Sequence, residues 1–190
     1  AEAKRTGARI VFSCGFDSIP FDLGVLTLQE CAIARHGHPA PRVKGRVRIM
    51  KGGFSGGTAA SLKATLAAAA RDPSLLKLLA DPFALTPGFA GPHQPAGVIP
   101  EFDTHLNAWL APFIMAPINT KNVHRTNLLT GHRYGTDFVY DEMVVVPGLG
   151  DLGRAAAEAL AKVNPFKGGG PQPGEGPSRE ERESGHYDLL

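Results

Sequence analysis

Two glycine-rich turns about forty residues apart hold most of the residues able to do chemistry. The first is Cys14-Gly15-Phe16-Asp17-Ser18-Ile19-Pro20 and the second Gly52-Gly53-Phe54-Ser55-Gly56-Gly57-Thr58. Each follows a strand-like run and opens a helix-like one. In that layout backbone N–H groups, hydroxyls and a helix N-terminus can converge on a ligand. Gly15 permits a tight turn or a close approach, and Asp17 and Ser18 offer acceptors to the orphan N–H groups of the helix start. In the second turn Gly53, Gly56 and Gly57 flank Ser55 and Thr58, the composition of an anion nest. It is not a Walker loop, because no Lys follows the last glycine. Plain capping turns would use the same residues, so both readings stand at this point.

Other reactive types are sparse. Cys14 as a nucleophile would need a basic partner to form a thiolate, and no His or Lys is near it in sequence. The seven histidines are scattered, with no i, i+4 pair around a Glu, so no metal site is expected. His124 and the adjacent Arg125 are the remaining polar candidates for a cleft, against a purely structural role for both.

The elements that must position these residues follow from periodicity and punctuation. A short buried strand is predicted over 10–13, then a helix over 18–36. Asp17 or Ser18 is its N-cap, Gly37 lies just past its end, and Ile19, Leu23, Leu26 and Ile33 form its apolar stripe. From Arg42 the period becomes two: Val43, Val47 and Ile49 alternate with Arg42, Lys44, Arg46 and Arg48, as in a half-exposed antiparallel strand. Four like charges on one face are either solvated or paired with acids, which Asp137 and Asp141 on a neighbouring antiparallel strand would supply; binding of an anion such as a cofactor phosphate or acidic substrate is the competing reading. Helices are predicted over 58–70, 73–79, 119–130 and 153–163, the last introduced by Asp151. A strand is predicted over 136–146, rich in Phe, Val and Tyr. Residues 82–104 read as an irregular excursion, 102–117 as partly helical, and 168–176 as a flexible loop or lid. Ser178 caps a charged turn at 179–183 before a closing strand. The fold class is α+β, with a mixed, largely antiparallel sheet and helices packed on one face.

Composition agrees with one ordinary domain: 190 residues, 43% hydrophobic, net charge +2. Gly and Pro number 23 and 16, which favours long connections. No basic block interleaved with aromatics exists, which argues against nucleic acid as a partner. Two cysteines are too few for a disulfide framework and point to reduced thiols in a cytoplasmic protein. The most apolar run, over 109–117, is too short to span a membrane. It predicts a buried or interface segment, with association at a membrane surface left open. The polar opening octet and the strand-like last residues predict a piece of a longer polypeptide.

The segment 14–24, Cys-Gly-Phe-Asp-Ser-Ile-Pro-Phe-Asp-Leu-Gly, resembles the saccharopine dehydrogenase-like oxidoreductases, in particular their trans-acting enoyl reductase branch. Lys-Gly-Gly-Phe-Ser-Gly-Gly-Thr-Ala-Ala-Ser at 51–61 matches the same branch, as do the stretches 116–127 and 134–142. The resemblance implies a parent protein of two domains. An N-terminal Rossmann domain would bind NAD(P), and an α+β domain would carry the substrate side. The G-x-G-x-x-G turn after an N-terminal strand is missing here, so the likeness covers the second domain only. Residues 1–190 are then a single substrate-binding and dimerisation domain. The parent would transfer hydride to a C=C, C=O or C=N bond, and this piece alone would be inactive and bind no cofactor. The implied partners are the Rossmann domain, a small-molecule or lipid-like substrate and a second copy in a homo-oligomer. A non-catalytic scaffold or lipid-interface protein retaining the fold is the alternative, favoured by the apolar 109–117 run.

Overall fold

A computed structural model describes residues 2–15, 17–163 and 170–190 of the chain. Phe16 and the first two residues of the proposed loop at 168–176 lie outside the described residues. The elements run α1 (Glu2–Thr6), α2 (Ile19–His36), β1 (Arg42–Lys51), α3 (Gly56–Arg71), α4 (Ser74–Ala80), β2 (Glu101–Asp103), β3 (Ala108–Pro112), α5 (Ala116–Leu129), β4 (Val139–Val146), α6 (Gly150–Ala161), α7 (Arg179–Glu183) and β5 (His186–Leu189). The strands form one sheet in the order β2-β3-β4-β1-β5. Its β2–β3, β3–β4 and β1–β5 pairs are antiparallel and its β1–β4 pair is parallel, so the class is α+β with a mostly antiparallel sheet.

β1 therefore departs from expectation. It is an interior strand, parallel to β4 and antiparallel to β5. Period-two alternation reports which side chains share a face, not the direction of the partner. The partner here lies almost a hundred residues downstream, across a crossover no local pattern encodes.

One sheet face carries Val43, Val47, Tyr140, Val144 and Val146, and helices α2, α5 and α6 pack there. Val25 of α2 and Val123 of α5 join Val43, Tyr134, Phe138 and Tyr140 in one core cluster. Ala157 of α6 packs on Ala111 and Val146. Helix α2 ends as expected at Gly37, a left-handed C-cap (φ 80°) whose N–H donates to the Ile33 carbonyl. Its buried stripe is Phe21, Val25 and Gln29, not the one built on Ile19 and Leu23, which are exposed. The sequence offers two apolar faces, and the rings of Phe21 and Phe113, 5.5 Å apart, belong to the face that is buried.

Two other expectations fail for lack or presence of a ladder partner. Residues 10–13 form no strand, and Ile10, Val11 and Phe12 are 65–85% exposed, because no described strand runs beside them. The 102–117 stretch is helical only at its last two residues, where α5 begins: β2 and β3 form a hairpin in which Phe102 faces Trp109, and β3 pairs onward with β4. Leu110 and Ala111 are fully buried there. Cross-strand pairing on both sides of β3 outweighs local ambiguity. Among the described residues no helix is long and apolar enough to cross a membrane.

Candidate functional site

Both glycine turns reach one cleft. It encloses about 540 Å³ and lies where β1 ends, β5 begins and β3 gives way to α5. Gly15 and Asp17 line it from the first turn, and Gly52, Gly53, Phe54, Ser55 and Thr58 from the second. Met50, Phe113, Ile114, Met115, Pro177 and Tyr187 supply apolar surface, and Lys51, Arg182 and His186 supply basic groups. A mostly apolar cleft with a few polar groups from different elements is the usual form of a small-molecule site.

The first turn is built by a backbone clasp. The Gly15 carbonyl accepts from the N–H groups of Ser18 (3.2 Å) and Ile19 (3.1 Å), which starts α2. A Cβ on residue 15 would sit 2.5 Å from Asp17 Oδ1, so the Asp17 carboxylate, which folds back over Gly15, would have to swing aside to admit one. Ser18 is the N-cap but makes no side-chain cap. Its hydroxyl instead donates to Asn119 Oδ1 at 2.8 Å, inside the protein.

That bond opens a buried polar cluster absent from the expectations above. Asn119 Nδ2 donates to the Asp17 carbonyl and to Glu142 Oε2, each at 2.9 Å, and the Tyr140 hydroxyl donates to Glu142 Oε1 at 2.9 Å. Ser18, Asn119, Tyr140 and Glu142 are all buried. Burial pushes the Glu142 carboxyl up to about 8 against the opposing pull of Asn119 and Tyr140, with the charges of Asp141 and Asp17 adding to the rise. Burial likewise holds the Tyr140 phenol well above its usual range. The cluster depends on Gly45, where a Cβ would lie 2.8 Å from the Tyr140 hydroxyl and 3.1 Å from Glu142 Cγ. The faint signal for it in the sequence is the acidic pair Asp141-Glu142 within the otherwise apolar segment Val139–Val146, one acid on each face of the strand.

The second turn is not an open nest. Ser55 caps α3, its Oγ accepting from Thr58 N–H at 3.3 Å and pairing with Thr58 Oγ1 at 3.2 Å. The Gly56 N–H donates to the Glu175 carbonyl at 2.9 Å. A Cβ on Gly56 would lie 1.7 Å from the Gln172 carbonyl oxygen, while one on Gly57 would meet only Ser55 Oγ at 3.6 Å. The 172–177 segment is thus a strap laid over the turn, and the protein's own carbonyls occupy the place of an anion. A capping box at Ser178 and Glu181 anchors the strap to α7.

The remaining candidates lie apart from the cleft. His124 is buried between Phe83 (4.7 Å between rings) and Phe138 (5.9 Å), and burial pushes its imidazole down to about 4, so it is neutral. Arg125 donates to the Leu85 carbonyl at the surface. Cys14 is an exposed thiol directed at the Phe12 carbonyl, at 3.6 Å. Among the described residues no three His, Cys, Asp or Glu are grouped to hold a metal ion.

The basic stripe on β1 is paired with acids, though not by an antiparallel ladder. Asp141 takes both Arg42 and Arg46, the diagonal neighbours on the parallel strand, while Lys44 bonds Asp103 and Arg48 bonds Asp188. Asp137 takes no part and folds back over Gly135.

Comparison with known proteins narrows the reading. A Mycobacterium tuberculosis protein provisionally named a trans-acting enoyl reductase is 36% identical over 213 aligned positions, covering 99% of this chain and 51% of its own length. This chain is similar to trans-acting enoyl reductases. Those of Mycobacterium ulcerans and Mycobacterium leprae are 33% and 31% identical, each over 98% of this chain and 50% of the reductase. The chain spans about half the length of the reductases it matches. No protein-family model and no solved structure matches it.

Proposed function

We propose that this chain is the substrate-side portion of a trans-acting enoyl reductase, an NAD(P)-dependent oxidoreductase of saccharopine dehydrogenase-like build. Such an enzyme reduces a carbon–carbon double bond by hydride transfer. The observation that carries this reading is the likeness to these reductases over 98–99% of the chain. The single cleft joining both glycine turns supports it and gives a place for an apolar substrate.

The cofactor's pyrophosphate does not fit the glycine-rich start of α3. Gly56 N–H is already bonded to Glu175, and the Gln172 carbonyl fills the space beside it. In this reading a Rossmann domain elsewhere in the polypeptide holds the dinucleotide, and this chain orients and shields the substrate. Phe113, Ile114 and Met115 form the apolar wall for that purpose. The scaffold alternative rests on the 109–117 run, in which Leu110, Ala111 and Phe113 are core.

The test uses the complete polypeptide with an α,β-unsaturated thioester and reduced nicotinamide, following loss of reduced-nicotinamide absorbance. Consumption that depends on the double bond is expected. Its absence with both NADH and NADPH overturns the assignment. The 190-residue chain alone should give no saturable fluorescence change with either cofactor.

A further inference from the structure

The first turn is held from behind by residues that never reach the cleft. Asp17 lines the cleft, and its carbonyl accepts from Asn119 Nδ2 on α5. The same amide group donates to Glu142 on β4, and its Oδ1 accepts from Ser18. One fully buried side chain thus ties together the turn before α2, helix α5 and the central strand β4. Asn119 uses both of its amide N–H bonds and its carbonyl oxygen in these contacts. A buried network so fully satisfied is rigid, and removing one member leaves the others unpaired.

We propose that Asn119 and Glu142 are positioning residues for the cleft, fixing the backbone of the Asp17–Ser18 turn against α5 and β4. The proposal rests on the cleft being the substrate site of the proposed reductase. Around Glu142 stand Asn119 from α5, Tyr140 and Asp141 from its own strand, Gly45 from β1 and the Asp17 carboxylate from the turn, while Arg46 bonds Asp141 and acts on Tyr140. Two of the charged neighbours are acids, so ionising Glu142 sets like charges against one another behind the turn. Glu142→Gln keeps an oxygen for the Asn119 amide and an N–H₂ for the Tyr140 hydroxyl, and it cannot ionise.

The experiment compares hydrogen exchange and kinetics in the complete polypeptide for the wild type, Asn119→Ala and Glu142→Gln. Exchange is read at the Ser18 and Ile19 amides, which clasp Gly15, and at the Gly56 amide of the second turn as a control. Asn119→Ala should speed exchange at Ser18 and Ile19 with little change at Gly56. It should also lower kcat/KM by about 10–100-fold, the scale of a misplaced substrate. In the wild type, exchange at the first turn, corrected for its intrinsic pH dependence, should climb as the pH rises toward about 8 and level off beyond it. In Glu142→Gln that rise should be absent. Equal loosening of both turns would mean general destabilisation and overturn the proposal, as would a loosened first turn with unchanged kinetics. If the wild-type polypeptide reduces no enoyl thioester, the functional reading fails, while the exchange pattern still decides whether Asn119 holds the turn.

Discussion

Lys44 on β1 donates to Asp103 on β2 at 2.9 Å, although β4 and β3 lie between those strands in the sheet. Three strand steps of about 4.8 Å span roughly 14 Å in a flat sheet, more than the two side chains bridge. The β2–β3 hairpin therefore curls over the basic face of β1, and Asp103 seals the hairpin by accepting from the N–H groups of His105 and Leu106 as well.

Asp103 should accordingly matter more than its partner. Asp103→Ala is expected to cost about 1–3 kcal/mol, because two backbone donors and a lysine lose their acceptor. Lys44 is 41% exposed, and Lys44→Ala should cost no more than about 1 kcal/mol. Burial raises the Asp103 carboxyl, but Lys44 and the two backbone N–H groups outweigh it and leave it below its usual 3.8. Its contribution is present above that value and lost as the pH falls through the folded-state titration. Chemical denaturation of the three proteins at neutral and acid pH checks both statements.

The strap over the second turn makes Gly56 and Gly57 unequal. Gly56→Ala places a methyl group on the Gln172 backbone and should cost about 1–3 kcal/mol as an overpacked site. It should also free the 172–177 segment. Gly57→Ala meets no backbone and should be neutral or slightly stabilising, through helix propensity. Thermal melts, with limited proteolysis mapped to 172–177, discriminate the two.

Glu142 makes stability depend on pH between about 4.5 and 8. Its folded carboxyl titrates at about 8 against an ordinary 4.5, so the unfolded chain releases the proton first. Stability should be highest below about 4.5, as far as this group is concerned, and decline as the pH rises toward 8. Glu142→Gln should flatten that decline in urea melts taken across the interval.

His124 acts in the opposite direction. Held neutral down to about 4 against an ordinary 6.5, it favours the folded state above 6.5 and withdraws that support as the pH falls toward 4. His124→Phe fits the ring cluster with Phe83 and Phe138 and should remove this acid-side slope. A slope unchanged in the variant would mean another group titrates there.

Local signals in the sequence determined what local forces decide. Gly37 ended α2, Ser178 and Glu181 capped α7, and the alternation from Arg42 onward put its basic residues on one face of a strand. The need of that face for acids was also legible, and Asp141 was named among them. Which acids answered, and from which direction, depended on contacts between residues up to 140 positions apart: Asp103 arrived by a curled hairpin and Asp188 on β5. The apolar face that α2 buries, the strand character of β3 and the exposure of Ile10–Phe12 were likewise settled by whether a partner lay alongside. The buried cluster of Ser18, Asn119, Tyr140 and Glu142 is the clearest case. Each member reads as an ordinary polar residue in its own segment, and only α2, α5 and β4 packed together make their hydrogen bonds mutually satisfying and their burial tolerable.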